Sequence, residues 1–381
     1  MTDAHDHRLR VLWLTKGLGP GGAERLLLEH AAAGDRTRFA YEAAYLLGWK
    51  QHLVADLEGL GVPVHGLGVD RDVDPRWIPR LARLLRARRF DIVHAHSPLP
   101  ASVARVLVRI GFRRMGFVYT EHNRWPSHHW ATRVVNRATF GLNDAVIAVS
   151  ADVADSMSPR ARATTRVITH GIDLRGVRSH LAERDAVRAE LGVAPDEHLV
   201  VTVANLRANK RYPDLLAAAR LVLDAGCPVT FAAAGQGPLE GEIRAEHERL
   251  GLGERVLLLG YRPDARRLIA GADLFVLASG HEGLPVAVME SFALGVPVVA
   301  TAVGGLAEAV TPGVDGLLVP AGQPEALAAA IRAALEPDRH AALAAGATAA
   351  GERYSAAASV ARVEAVYEAV VEEVRACGRG H

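Results

Sequence analysis

The sequence predicts an α/β protein made of two doubly wound, Rossmann-like domains facing a central cleft. Short apolar runs recur along the chain, each followed by a polar or glycine-rich turn and then a helical pattern. Buried parallel strands give such continuous apolar runs. The chain has 381 residues, more than one ordinary core holds, and half of them are hydrophobic, enough for two. The strand–turn–helix alternation also starts afresh near residue 198, after a charged stretch at 175–195.

The totals narrow the function. A net charge of +1 gives no electrostatic reason to bind nucleic acid. Cys227 and Cys377 fit no metal or redox spacing and suit a reducing compartment. Residues 1–10 are polar, without the apolar core of a signal peptide, and no apolar run reaches the length of a membrane span. The expectation is a cytoplasmic protein, attached to a membrane at most peripherally.

In the first half, 10–15 reads as a strand, followed by a glycine-rich turn at 17–25 and a helix through 26–33. Such a turn lets backbone N–H groups approach an anion. It is not the G-x-G-x-x-G of a dinucleotide unit. A strand at 39–47, a short helix at 54–60 and an edge strand at 62–65 follow. The helix Arg76–Arg89 sets Trp77, Ile78, Leu81, Leu84 and Leu85 against arginines at 76, 80, 83, 86, 88 and 89. That face is either solvated or laid on anionic lipid headgroups, with Arg105, Arg109, Arg113 and Arg114 extending it. Strands at 91–97 and 117–123 run into loops carrying His94, His96 and His122; no carboxylate or cysteine cluster turns these into a metal site. Segment 124–140 gathers Trp125, His128, His129, Trp130, Arg133 and Arg137, an acceptor surface or a packed lid. The last strand of this domain is expected at 144–150, with Ser150 capping the helix from 151.

A boundary follows at 167–173, where Gly171 is expected in a left-handed turn; 175–195 reads as a linker with one helix. The second domain opens with a strand at 198–204 and the polar run Asn205, Arg207, Asn209, Lys210. Strands at 230–234 and 256–260 come next, the second leading into Tyr261 and Arg262. The buried strand 273–278 runs into Ser279-Gly280-His281-Glu282-Gly283-Leu284-Pro285, and a helix opens with Pro285 in its first turn and Glu290 about two turns in. A loop between a strand's carboxyl end and a helix N-terminus is a ligand site favouring anions. Helices at 326–335 and 354–376 close the chain, the second with Val360, Val363, Val366 and Tyr367 at helical spacing.

The run from Glu282 through Glu290, Gly304-Gly305 and Glu308 to Pro320 resembles the donor-binding half of the retaining, nucleotide-sugar-dependent glycosyltransferases of family 4, which have the GT-B fold. The loop Gly21-Gly22-Ala23-Glu24-Arg25 resembles that family's G-G-A-E-R turn. The resemblance implies a domain at 1–172 on the acceptor side, joined by a terminal helix at 354–381, and a donor domain at 173–353. It places Gly21 and Gly22 near the donor phosphates and His122 beside the transferred sugar. Glu282 would hold sugar hydroxyls, Glu290 the ribose, and Gly283, Leu284 and Pro285 would offer their backbone. Lys210 would neutralise the diphosphate. Asn205 stands where the family has arginine, so Arg207 is a substitute candidate; Tyr261 and Arg262 would bracket the nucleobase. Trp125, His128 and His129 would meet the acceptor. The implied reaction moves a hexosyl unit, with retention, from a UDP- or GDP-sugar to a hydroxyl of a lipid-linked glycan, polysaccharide precursor or natural product. It needs no metal or other cofactor. Thr169 and His170 replace the family's Pro-Asn, and with Asn205 they keep open a non-catalytic sugar-nucleotide binder or partner subunit. A phosphorylase would need a pyridoxal-type lysine site that the sequence does not show.

Overall fold

A computed structural model describes residues 7–19 and 22–377. The chain divides into two compact units, Met1–Gly171 with Ala356–His381, and Ile172–Ser355.

The first unit holds parallel strands β1 (Leu9–Thr15), β2 (Phe39–Leu47), β3 (Val64–Val69), β4 (Ile92–Ala95), β5 (Gly116–Glu121), β6 (Ala145–Ala148) and β7 (Thr165–Val167). Their order is β3-β2-β1-β4-β5-β6-β7. Helices cover both faces, which is why Val11 to Leu14 and Ile92 to Ala95 are apolar or buried throughout. Helices Trp77–Arg88 and Pro98–Gly111 close one face through Trp77, Leu81, Leu85, Ala104 and Val108. Helices Gly22–Ala33 and Ala356–Cys377 close the other through Leu27, Val363, Val366, Tyr367 and Val370. Each such buried leucine or valine side chain contributes roughly 1.5–3 kcal/mol relative to exposure. Gly116 lets the last of these helices press on β5, since a Cβ there would lie 2.4 Å from a Val370 methyl.

The second unit is a parallel sheet of β8 (His198–Val203), β9 (Val229–Ala234), β10 (Val256–Gly260), β11 (Leu274–Leu277), β12 (Val298–Thr301) and β13 (Gly316–Val319). Its order is β10-β9-β8-β11-β12-β13. Both sheets reverse their winding once, between β1 and β4 and between β8 and β11. At such a switch point neighbouring strands send their loops to opposite sides and leave a crevice at their carboxyl ends.

Several expectations need correction. The strand at β6 is not the last of its sheet: the three-residue β7 follows, too short to show alternation. Gly171 is not left-handed; the chain beyond β7 stays alongside β6, with the Ile168 amide on the Ala148 carbonyl. Residues 175–195 are no linker. They form Leu174–Arg178, a 3-10 turn and Arg184–Glu190, with Val177 and Val187 fully buried. Their charges are partners of the second unit, Arg188 with Asp273 and Glu183 with Arg267. An alanine-rich helix, Pro337–Gly351, was not foreseen, because alanine on all sides gives no helical stripe. Pro285 is the N-cap of the helix Val286–Ala293 rather than its first residue, and Glu290 is little more than one turn in. Ser150 does cap its helix, accepting from the Val153 amide at 3.2 Å. Among the described residues no helix is long and apolar enough to cross a membrane.

Candidate active site

In the second unit the loops after β8 and β11 meet at the switch point. The Gly280 amide donates to the Asn209 carbonyl at 2.7 Å, and Asn209 Nδ2 reaches the His281 carbonyl. This clasp brings Lys210 to Glu282, and the two form an ion pair with both side chains largely buried. The Ser279 hydroxyl donates to the same Glu282 oxygen, Oε1, at 2.5 Å. Ser279 is in turn fixed by its carbonyl, which accepts from Thr301 Oγ1 of β12. Among the described residues nothing bonds Glu282 Oε2, so that oxygen is open to a substrate hydroxyl.

The loop is pinned from its other side by Gly304-Gly305. The Gly305 amide donates to the Glu282 carbonyl at 3.2 Å, and a Cβ on Gly305 would lie 1.9 Å from the Gly283 carbonyl oxygen. Only glycine allows that approach. The amides of Gly283 and Leu284 have no acceptor among the described residues. Pro285 has no N–H, so the backbone donors expected over Gly283–Pro285 reduce to the first two. Two free amides and a lysine ammonium beside a helix N-terminus favour a multiply charged anion.

Glu290 is buried, and its Oε1 accepts from Arg266 Nε at 2.7 Å. Asn205 and Arg207 are both exposed, flanking the buried Leu206. Arg207 lines a cavity of about 300 Å³ with Leu239 and Ile243, whereas Lys210 is turned to Glu282. Arg262 is held by Asp264 and Glu190, each at 2.7 Å. The hydrogen bonds from Arg262 hold the Asp264 carboxyl down at about 2. Its guanidinium is thus engaged by carboxylates of the same unit. Tyr261 beside it is 52% exposed.

In the first unit the carboxyl ends of β4 and β5 carry a histidine cluster. His122 Nε2 lies 3.2 Å from His96 Nδ1, and the His170 ring is parallel to His122 at 5.3 Å. Burial, reinforced by the neighbouring imidazoles, depresses His122 and His96 well below the usual histidine range. Burial alone pushes His170 down to about 4. Of the expected acceptor residues, Trp125 is buried edge-to-face on Phe140, so it packs the core rather than facing an acceptor. His128 Nε2 bonds the buried Glu121 at 3.1 Å, and Tyr119 donates to the same carboxylate at 2.7 Å. His129 is exposed and accepts from the Ala131 amide at the start of the helix Trp130–Thr139. Gly21 lies outside the described residues; Gly22 begins the helix Gly22–Ala33. Ser279, Arg266 and the His96–His122–His170 grouping were missed as partners, since contacts across strands leave no spacing signal.

The twin doubly wound sheets and an anion-ready loop at a switch point define a nucleotide-dependent transferase of the GT-B fold. Comparison with known proteins makes this specific. The model for glycosyl transferases group 1 matches residues 183–349, and that for glycosyltransferase family 4 matches residues 20–175. D-inositol 3-phosphate glycosyltransferase 1 of Catenulispora acidiphila is 32% identical over 341 residues, covering 80% of each chain. A D-inositol 3-phosphate glycosyltransferase of Geodermatophilus obscurus is 36% identical, over 76% of this chain and 69% of that one. The Anabaena protein HepE, solved with UDP and glucose, superposes with a TM-score of 0.80 at 25% identity, over 95% of this chain and all of that one. The chain belongs to the group 1, family 4 glycosyltransferases and is an enzyme acting on nucleotide-sugar donors.

Proposed function

We propose that the enzyme transfers a hexosyl unit from a UDP-linked sugar to a hydroxyl acceptor, retaining the anomeric configuration. The observation that carries this is the Lys210–Glu282 pair, set beside two amides that have no acceptor among the described residues, at the β8/β11 switch point. On donor binding the diphosphate replaces Glu282 as the partner of Lys210. The amides of Gly283 and Leu284 meet the phosphate oxygens, where charge grows as the leaving group departs. Glu282, released, accepts from sugar hydroxyls near the reacting carbon, and Glu290 from the ribose. His122 bonds a hydroxyl of the transferred sugar. The acceptor hydroxyl attacks from the leaving-group side, its proton passing to a phosphate oxygen. Because a cation and backbone dipoles already balance the diphosphate, turnover in EDTA should equal turnover without it. UDP is favoured over GDP because HepE was solved with UDP and with UDP-glucose.

The experiment is incubation with a panel of UDP-, GDP- and dTDP-sugars, following slow donor hydrolysis in the absence of acceptor. Release of UDP from one UDP-sugar is expected; no release from any donor would refute the donor assignment.

We further propose that an anionic lipid surface is the partner of the first unit's basic face. Helix Trp77–Arg88 buries Trp77, Leu81 and Leu85 and exposes Arg83 and Arg86, with Arg89 just beyond. Among the described residues none of these three has a carboxylate partner. Helix Trp130–Thr139 adds Trp130, 66% exposed, and Val134, 58% exposed. Co-sedimentation should favour phosphatidylglycerol-containing over pure phosphatidylcholine vesicles; equal binding would remove the proposal.

A further inference from the structure

His122 does not stand alone. His94, at the end of β4, is fixed at both ring nitrogens, Nδ1 to the Tyr367 hydroxyl and Nε2 to Thr120 Oγ1, each at 2.7 Å. The His96 ring rests on His94 with centroids 4.1 Å apart. His96 Nδ1 then reaches His122 Nε2, and the His170 ring runs parallel to that of His122, within 2°, at a centroid distance of 5.3 Å. Four imidazoles from three segments thus follow one another, anchored at one end by the helix Ala356–Cys377 through Tyr367.

The groups facing this row are His94 from β4, His96 just beyond it, Thr120 from β5, His170 beyond β7, Tyr367 from the terminal helix, and His30, whose imidazole also disfavours charge on His94 and His96. Among the described residues none of these is a carboxylate that could hold an imidazolium. The row is therefore neutral at working pH, and the hydrogen bond between His96 and His122 has one donor and one acceptor. Among the described residues His96 Nε2 is buried without a partner. A proton on that nitrogen would bury an unsatisfied N–H, the costlier arrangement. His96 thus carries its proton on Nδ1 and donates to His122 Nε2. That fixes the His122 proton on Nδ1, the nitrogen that is neither bonded nor buried among the described residues.

We propose that His96 and His170 are positioning residues, which lock His122 into one ring orientation and one tautomer and so aim its Nδ1–H at the transferred sugar. His96 sets the tautomer through its hydrogen bond; His170 holds the ring plane by its flat face. This rests on the reading that His122 meets that sugar. The chain's departure from Asn at position 170 then has a physical consequence, because an amide cannot offer the same broad face.

The test uses the full chain, with the UDP-sugar that turns over in the donor panel, and the variants His96→Ala, His96→Asn, His170→Ala, His170→Phe and His122→Ala. His96→Ala and His170→Ala should each lower kcat about 10- to 100-fold, the size of a misaimed contact, with donor KM within about twofold of the parent. His96→Asn, whose amide can replace Nδ1–H, and His170→Phe, which keeps a flat face, should recover most of the loss. The 15N spectrum of His122 should show Nδ1–H in the parent and a tautomer mixture in His96→Ala. Parental kcat in both alanine variants, or an unchanged His122 spectrum in His96→Ala, would overturn the proposal. Should His122→Ala itself turn over normally, the sugar-contact reading fails, while the spectrum still decides whether His96 sets the tautomer. If His96→Ala does not fold, His96→Asn decides: its kcat staying near parental supports the proposal, and a loss equal to that of His122→Ala refutes it.

Discussion

Replacing Glu282 with alanine separates stability from catalysis. In the free enzyme Lys210 and the Ser279 hydroxyl both donate to Glu282 Oε1, and the lysine side chain is only 16% exposed. Removing the carboxylate strands a largely buried ammonium and a fully buried hydroxyl, at a cost of about 1–3 kcal/mol. For a unit the size of Ile172–Ser355 that lowers Tm by roughly 2–4 °C per kcal/mol. UDP should reverse most of this, because its diphosphate supplies the anion that Lys210 has lost. The parent enzyme must break the Lys210–Glu282 pair to bind UDP and the variant need not. UDP affinity in Glu282→Ala is therefore equal or tighter, up to about tenfold for each 1.4 kcal/mol recovered. Turnover with the UDP-sugar is lost. Differential scanning fluorimetry with and without saturating UDP, and calorimetric titration of UDP, give both quantities. A Tm deficit that persists unchanged in saturating UDP, or UDP affinity reduced more than tenfold, would refute the exchange of partners at Lys210.

Glu290→Ala should weaken UDP binding by about 1–3 kcal/mol if its carboxylate holds the ribose. Arg266→Ala, which removes only the partner, should weaken it less, and equal losses in titration would count against the ribose contact. Gly305→Ala forces a methyl onto the Gly283 carbonyl, so it should cost about 1–3 kcal/mol of stability and lower turnover; parental melting and kinetics would contradict the pinned loop. Acid should destabilise the fold through its buried histidines. Burial takes His30 down to about 3 and His170 to about 4, from 6.5. The unfolded chain takes up these protons first, so stability is complete above about pH 6.5 and falls as pH drops toward the folded values. Each contributes a loss of about 2 kcal/mol by pH 5. Urea unfolding at both pH values should show His30→Gln with the shallower dependence, and an identical dependence would exclude His30 as a source.

Much of the fold was legible because buried parallel strands announce themselves as apolar runs bounded by glycine and polar residues. Phe39–Leu47 was read to the residue, and the loop from Ser279 to Pro285 was read as the strand–helix junction it is. The failures share a cause. β7 and the helices at 174–190 are short, and their sequences are decided by partners elsewhere in the chain: Asp273, Arg262 and Arg267 explain charges that by themselves look like solvent-facing linker. For Trp125 and His128 the sequence leaves an acceptor surface and a packed lid both open, because nothing local reveals Phe140 or the carboxylate of Glu121 as their companions. Glu282 and Lys210 could each be named from local pattern, but their pairing across β8 and β11 depends on strand order.

The helix Ala356–Cys377 carries a further meaning for how the molecule is made. It is synthesised only after every residue of Ile172–Ser355, yet Val363, Tyr367 and Val370 seal the face of the first sheet that Trp13, Phe39 and Tyr41 line. On the ribosome the segment translated first thus waits for the segment translated after the whole second unit, its aromatic floor bare in the interval. Nascent chains stalled near residue 200 should therefore recruit chaperones, and release once translation passes residue 377 should end that dependence.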